Sequence, residues 1–518
     1  MRSFLQRYGA EIKGVLSGFD RLRFRGTIRW LASLPGMTTF MKSTGLLLKH
    51  FNVWAKDRTE QIREATEHLA EAANRPVVYL ASSQVSKEET ALKIAARDGI
   101  TEGLIAVLSC VEPCHSFRVG PNRERRLLEL RLGPMKCLHY YFYVLDPQLG
   151  LTYLRLQTWA PFTIHIGLNG REWLARQLAA EGIAFEQRDN CFVDLADPQR
   201  AQALLDKQLR TNWTRLLNGW LARFHPAHAT LFGNEPLNYY WSAEETEWAT
   251  DVMFRSPEAL ARLYPRWVRH AITTFSSSDV LRFLGQSPKV RCYKTAEITT
   301  TLKVRPEGIC VKHSRNRNSL KMYDKQGSNL RAETTFNNPR ELKVLRPKAN
   351  DPKKRKCWQR LRKGVADLHR RAKLSQQSNE RYLEALAAVD ESASLAEVVR
   401  PLCQRTRWKG RTVRGLQPLK ADDSRLLTAI SRGEFLISGF RNADLRPLLF
   451  GDAKVPSDEA RRQSSKVTRM IRMLRAHGLI RKIQKTHRYV LTPKAATAIA
   501  GLMAAQNATI EALTKLAA

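Results

Sequence analysis

Residues 424–492 constrain this chain more than any other stretch, because three amphipathic segments are followed by two short basic strands. The first segment, 424–431 (SRLLTAIS), puts Leu426, Leu427 and Ile430 on one side of a short helix. The second, 441–450 (RNADLRPLLF), predicts another helix, and 457–477 a longer third one that Gly478 stops as a C-terminal cap. On the third, Ala460, Val467, Ile471 and Leu474 recur at helical spacing and can face a core. Arg461, Arg462, Ser465, Lys466, Arg469 and Arg472 fall mostly on the other side. LIRKIQ and HRYVLT then predict two strands joined at Lys485-Thr486. A helix face rich in Arg and Lys has the donors that phosphate contacts and guanine readout require. A solvated basic helix beside a hairpin has the same residues, and it is the order of the elements that favours the first reading.

The charge points the same way. The 518-residue chain carries a formal net charge of +37 and a pI near 10.3, the balance of a protein that meets a polyanion. A hydrophobic content of 43% supports packed cores rather than a disordered basic tail. Single cores rarely grow past about 250–300 residues, so several domains are expected. Eight scattered cysteines fit a reducing compartment better than a disulfide scaffold. No apolar run reaches the roughly 18 residues that a membrane span needs, and MRSFLQRYGAEIKG has no signal-peptide core. A cytoplasmic protein without a membrane partner is expected.

Three helices and a hairpin with a basic third helix resemble winged-helix DNA-binding domains. In that arrangement Arg461, Arg462, Ser465, Lys466 and Arg469 contact DNA, while Lys485 and Arg488 hold the hairpin to phosphate.

Upstream, the patterning predicts an α+β class with a mixed or antiparallel sheet. Residues 17–31 alternate Leu22, Phe24 and Gly26 against Arg21, Arg23 and Arg25, as a strand does. Helix is expected over 37–73, a buried strand at PVVYLASS, and a helix at KEETALKIAARDG ended by Gly99. Strands dominate 104–170, with a turn at 146–150, before 171–225 returns to helix and 256–339 runs from helix into strand. The expected division is 1–75, an N-terminal strand and helical region; 76–339, an α+β core with a boundary near 235–255; 340–420, a basic helical connector; and 421–518, the winged helix and a closing helix. In 340–420 Lys and Arg outnumber Asp and Glu by 22 to 8. The run Lys353, Lys354, Arg355, Lys356 suits sequence-independent tracking of a phosphate backbone, and equally suits a solvated surface.

Three patterns could carry chemistry. NSLKMYDKQGSNLRAETT (318–335) reads as a hairpin turning at Gly327-Ser328, which would set Asp324 opposite Arg331 with Glu333 on the same face and Tyr323 on the other. Such a set can be a plain ion network on a sheet. A strand ending Tyr-Asp-Lys followed by Leu-Arg-x-Glu also resembles rolling-circle replication initiators of plasmids and phages. The resemblance covers about twenty residues and implies Asp324 and Glu333 as ligands of Mg²⁺ or Mn²⁺ and Tyr323 as nucleophile. Those initiators and related transposases often carry His-hydrophobic-His, which is absent here, since none of the twelve histidines lies two residues from another.

Second, Cys110, Cys114, Cys137 and His139 supply four ligands for a structural zinc, or are ordinary core residues. Third, LHYYFYVLD alternates His139, Tyr141 and Tyr143 against Tyr140 and Phe142, a face that could stack single-stranded bases or simply pack. Asp20 and Asp146 fall at strand edges, where a nuclease of RNase-H type would place acids. No G-x-x-x-x-G-K-[ST] loop is present, so no nucleotide cofactor is expected.

Over most of its length the chain also resembles a family of bacterial proteins that share its GFDR…FRGT opening and HGLI…HRY ending and bring no established activity. Three functions follow as expectations: a DNA-processing protein of a mobile element, similar to a replication initiator or transposase; a non-enzymatic winged-helix regulator; and a partner of a structured RNA.

Overall fold

The fold was obtained as a computed structural model that describes residues 1–233, 237–286, 298–305, 308–348, 355–388, 395–432, 434–435, 439–453, 455–484 and 486–509. It is α+β, as the patterning predicts, and divides into two units. The first comprises Leu16–Ala249 and Arg362–Ala372; the second comprises Met1–Val15, Thr250–Leu361 and Lys373–Ala518. Among the described residues no helix is long and apolar enough to cross a membrane.

The first unit is built on β1 (Ile12–Ile28, from Leu16 on), β2 (Val77–Leu80), β3 (Gly103–Asn122), β4 (Leu127–Asp146), β5 (Gly150–Gln157), β6 (Ile164–Asn169) and the first part of β9 (Tyr239–Phe254), with β7 (Phe185–Arg188) and β8 (Cys191–Leu195) as a separate hairpin. The sheet order is β9-β1-β6-β5-β4-β3-β2, with β2 parallel to β3 and antiparallel pairs from β3 through β6 to β1. Period-2 alternation decides its faces. Phe24, Phe142, Leu154, Leu156, Ile164 and Ile166 are fully buried on one side in a core with Trp213, Leu217 and Phe224, each worth about 1.5–3 kcal/mol against exposure. Gly26 continues the apolar side of β1 because a Cβ there would lie 2.8 Å from the Trp241 ring. Two expectations change. PVVYLASS is an edge strand, so Val77 and Tyr79 are exposed rather than buried. The helical run expected over 171–225 is broken by the β7–β8 hairpin, whose turn holds Asp189 at φ 49°.

The second unit carries the antiparallel meander β10 (Ile298–Arg305), β11 (Gly308–Arg315), β12 (Asn318–Lys325) and β13 (Asn329–Phe336), followed in sheet order by the end of β9. Every residue of β13 is buried. Trp267, Leu320, Met322, Leu330, Tyr382 and Leu383 form its core. The basic connector expected over 340–420 is not a solvated helix. Lys343–Pro347 and Lys356–Arg360 pair as β14 and β15, and alternation buries Val344 and Arg346 on one face of β14. Within the Leu368–Ala387 helix, Leu374, Tyr382, Leu383 and Leu386 are buried. Ser378 and Asn379 are buried too, with Asn379 donating to Thr250 Oγ1 at 3.1 Å and Thr334 donating to Asn379 at 2.6 Å.

The C-terminal part of this unit follows the predicted order: helices Ala421–Ile430, Asn442–Phe450 and Ser457–Ala476, strands β18 (Ile480–Lys482) and β19 (Tyr489–Leu491), and helix Pro493–Asn507, preceded by the β16 (Thr406–Trp408) and β17 (Arg411–Val413) hairpin. Leu426, Ile430, Leu445, Val467, Ile471, Leu474 and Leu479 make a core of their own. Gly478, at φ 68°, ends the long helix, and the Leu479 N–H returns to the Leu474 carbonyl at 2.9 Å.

Candidate functional site

The amphipathic Ser457–Ala476 helix buries Val467, Met470, Ile471, Met473 and Leu474. Its opposite side leaves Arg461, Arg462, Ser465, Arg469 and Arg472 exposed, as the periodicity predicts. These cations are not equivalent. Arg461 is 82% exposed and lies 3.7 Å from Asp458, and Lys466 donates to Asp422 at 3.0 Å. Arg469 and Arg472 have no ion-pair partner among the described residues.

Beside this face lies a recess of about 480 Å³ lined by Trp408, Lys409, Arg441, Asn442, Arg472, Arg475, His487 and Tyr489, among others, and no carboxylate is among the residues that line it. The β16–β17 turn presents Trp408 through Lys409 and Gly410, both at positive φ. Arg475 lies over Trp408 (5.0 Å to the ring centroid) and over Tyr489 (5.8 Å), and Lys409 over Trp408 (5.3 Å). Asn442 donates to the Ser464 carbonyl at 2.7 Å and to Thr468 at 2.9 Å, which ties the start of one helix to the middle of the next. Lys409, Arg441, Arg475 and His487 escape sequence reasoning because they come from four separate elements; only the excess of cations hinted at them.

Arg488 is placed differently from the expectation. It is buried, donates to the Gly439 carbonyl at 2.6 Å and to Asp444 at 3.4 Å, and lies over the Trp358 ring. Backbone pairing of Phe440 with Tyr489 draws position 488 under residue 439, so its guanidinium holds the hairpin to the module instead of facing outward. Lys485, Lys353 and Lys354 lie outside the described residues. Arg355 and Lys356 are exposed, and Lys356 lines a further recess with Arg441 and His487.

The β12–β13 register overturns the predicted face of Asp324. Lys325 pairs with Asn329, so the turn has three residues, with Gln326 at φ 58° and Gly327 at φ 70°. One extra turn residue shifts the pairing by one and flips faces. Tyr323 opposes Arg331 and Lys321 opposes Glu333, whereas Asp324 opposes Leu330 on the side of Met322 and Ala332. Asp324 and Glu333 therefore cannot share an ion. Asp324 keeps a buried Oδ1 without a hydrogen-bond partner among the described residues, and burial raises its carboxyl. Tyr323 and Glu333 do come together: the phenol donates to Glu333 Oε2 at 2.9 Å, and Lys321 donates to Oε1 at 2.6 Å. Burial pushes the Glu333 carboxyl up, but Lys321, Arg331 and Tyr323 outweigh it and hold it below the ordinary carboxylate range. Arg331 makes a paired contact with buried Asp251 at 2.5 and 2.9 Å.

In the first unit, a set of three side chains could hold a metal. Cys114, Cys137 and His139 place ligand atoms within 4.8 Å of one another, while Cys110 is not in the group. Asp20 on β1 and Glu247 on β9 bring carboxylate oxygens equally close, and Asn190 donates to Asp20 at 2.5 Å. Next to the cysteines, a recess of about 540 Å³ holds Tyr141, Arg155, Glu112, Lys87, His165 and Glu244. Tyr141 and Arg155 donate to Glu112 at 2.6 and 3.0 Å, and His165 lies 3.1 Å from Glu244. Its cations are compensated in place, which makes it a weaker polyanion site than the acid-free recess. Tyr141 and Tyr143 are buried, and Tyr140 and Phe142 pack in the opposite core, so these aromatics are not an open stacking platform. No protein-family model, curated protein sequence or solved structure matches the chain.

Proposed function

We propose that the chain is a nucleic-acid-binding protein of mobile-element type that docks duplex DNA through a C-terminal winged helix. The acid-free, aromatic recess beside the exposed Arg469 and Arg472 carries this reading. A helix is about 10–12 Å across with its side chains, which suits a major groove about 12 Å wide. Ser465 then faces base edges, while Arg469, Arg472, Lys409, Arg441 and His487 flank it as backbone contacts. Net charge alone supports any polyanion; separation of uncompensated cations onto one helix and its neighbouring recess supports a docking surface.

The finer reading is initiator-like strand cleavage. It is supported by the Tyr323 phenol held 2.9 Å from an ionised Glu333, the two residues of the initiator resemblance that share a face. In this chemistry the Tyr323 oxygen attacks a phosphodiester, its proton passes to Glu333, and the 3′ oxygen leaves; Mg²⁺ or Mn²⁺ would stabilise charge at the phosphate, held by residues other than the Asp324–Glu333 pair.

The test is binding and cleavage by the full chain on its own flanking DNA, duplex and single-stranded, and on folded RNA, with Mg²⁺, Mn²⁺ or EDTA. Duplex binding weakened in Arg469→Ala/Arg472→Ala supports the docking surface. Metal-dependent nicking lost in Tyr323→Phe with binding retained supports cleavage. Stronger binding to folded RNA than to duplex overturns the DNA reading, and specific operator binding without nicking in any metal leaves a regulator.

A further inference from the structure

We propose that Cys114, Cys137 and His139 form a three-ligand site for a soft divalent cation, zinc first. The inference stands apart from the nucleic-acid reading. The three residues come from the paired strands β3 and β4, where the register sets Cys137 opposite Glu112 and Cys114 opposite Met135, so both thiols point to one face. Their sulfurs lie 3.1 Å apart, and His139 Nδ1 is 4.0 Å from Cys137 Sγ. A tetrahedral zinc with ordinary bond lengths separates two sulfurs by about 3.8 Å and a sulfur from a nitrogen by about 3.6 Å. Sub-ångström side-chain shifts therefore reach that geometry.

Two further features point to a ligand. His139 is fully buried, its Nδ1 lies 3.1 Å from the Cys137 carbonyl oxygen, and its Nε2 has no hydrogen-bond partner among the described residues. Ligation through Nδ1 would exchange its contact with the carbonyl for one to the metal and keep the ring proton on Nε2. Ser116, also fully buried, accepts from Gln157 Nε2 at 2.9 Å and lies 3.0 Å from Cys114 Sγ. Its hydroxyl hydrogen is thus free to support a thiolate at Cys114. Cys110 belongs elsewhere: it packs with Leu80, Ala91 and Ile94 and its thiol meets the Val111 carbonyl, so the four-ligand zinc set expected from sequence loses one member. The fourth position is left for water or the Ser116 hydroxyl.

The full chain, purified under reducing conditions, is loaded with zinc, desalted and assayed for metal by mass spectrometry, then loaded with Co²⁺ for visible and near-ultraviolet absorption. About one zinc per chain and thiolate-to-cobalt charge transfer are expected in the wild type and in Cys110→Ser. Cys137→Ser and His139→Asn should lose at least tenfold in affinity, with far-ultraviolet circular dichroism confirming that they fold. Wild-type protein that retains no zinc overturns the proposal whatever the variants do, and so does a Cys114–Cys137 disulfide formed in its place. Zinc content unchanged in folded Cys137→Ser assigns the metal to other residues and overturns it as well.

Discussion

Replacing Arg469 and Arg472 with Ala should change the salt dependence of DNA binding by an amount the structure sets. Both side chains are exposed, and neither has an ion-pair partner among the described residues, so each brings an uncompensated charge to a phosphate. Neutralising one phosphate of B-DNA contributes about 0.9 to the slope of log affinity against log salt, so losing two such contacts should flatten it by about 1.8. Between about 50 and 200 mM salt, the affinity of the double variant should then fall about twelvefold less than that of the wild type. Lys466 supplies the internal contrast. Its ammonium is already 3.0 Å from Asp422, so Lys466→Ala should flatten the slope by well under 0.9. Fluorescence anisotropy with one duplex across a salt series measures both effects. An unchanged slope in Arg469→Ala/Arg472→Ala, with the variant folded, removes this helix from the DNA interface; an equal effect of Lys466→Ala refutes the distinction between free and compensated cations.

Other perturbations test the interior. Arg488→Ala should destabilise the C-terminal module by about 2–3 kcal/mol through loss of charge-assisted hydrogen bonds to Gly439 and Asp444, seen as faster proteolysis there; loss of DNA affinity at unchanged stability would restore it as a phosphate contact. Asp251→Asn removes the carboxylate charge paired with a guanidinium that is 1% exposed and should cost about 3–5 kcal/mol in chemical denaturation. The Asp251→Leu/Arg331→Met pair should cost less than either single removal of charge, and additivity of the two would refute a coupled pair. His313, bonded to Thr300 at 2.9 Å and Tyr382 at 3.2 Å, is held neutral by burial, with its pKa lowered from 6.5 to about 4. The unfolded chain takes up that proton first, so the contribution is full above pH 6.5 and is lost as pH falls toward about 4, by the order of 3 kcal/mol. His313→Gln should flatten stability against pH in that window, and a profile identical to wild type would place the acid sensitivity elsewhere.

Local elements were legible in the sequence wherever side-chain spacing and backbone punctuation agree. Val467, Ile471 and Leu474 recur on one helical face and are buried, Gly478 ends their helix with a positive φ, and β1 alternates as its arginines require. Each signal is short-range: one turn of helix or two residues of strand places the next side chain. The α+β class followed from the succession of such signals.

What tertiary structure alone decided is which side chains meet. A strand repeats every two residues, so one additional residue in the 326–328 turn moved Asp324 away from Glu333 and joined Tyr323 to it, although the local sequence admits either turn. The same holds for charge. Arg469 and Arg488 are identical in sequence, yet one is exposed while the other sits under Gly439, because long-range backbone pairing between Phe440 and Tyr489 determines what surrounds position 488. Cys110 and Cys114 differ only by where their sheet is covered, one by the helix that carries Ala91 and Ile94, the other beside Cys137 and Ser116. Periodicity assigns a residue to a face; partners across strands and under helices depend on registers and crossings hundreds of residues apart, which no local pattern encodes.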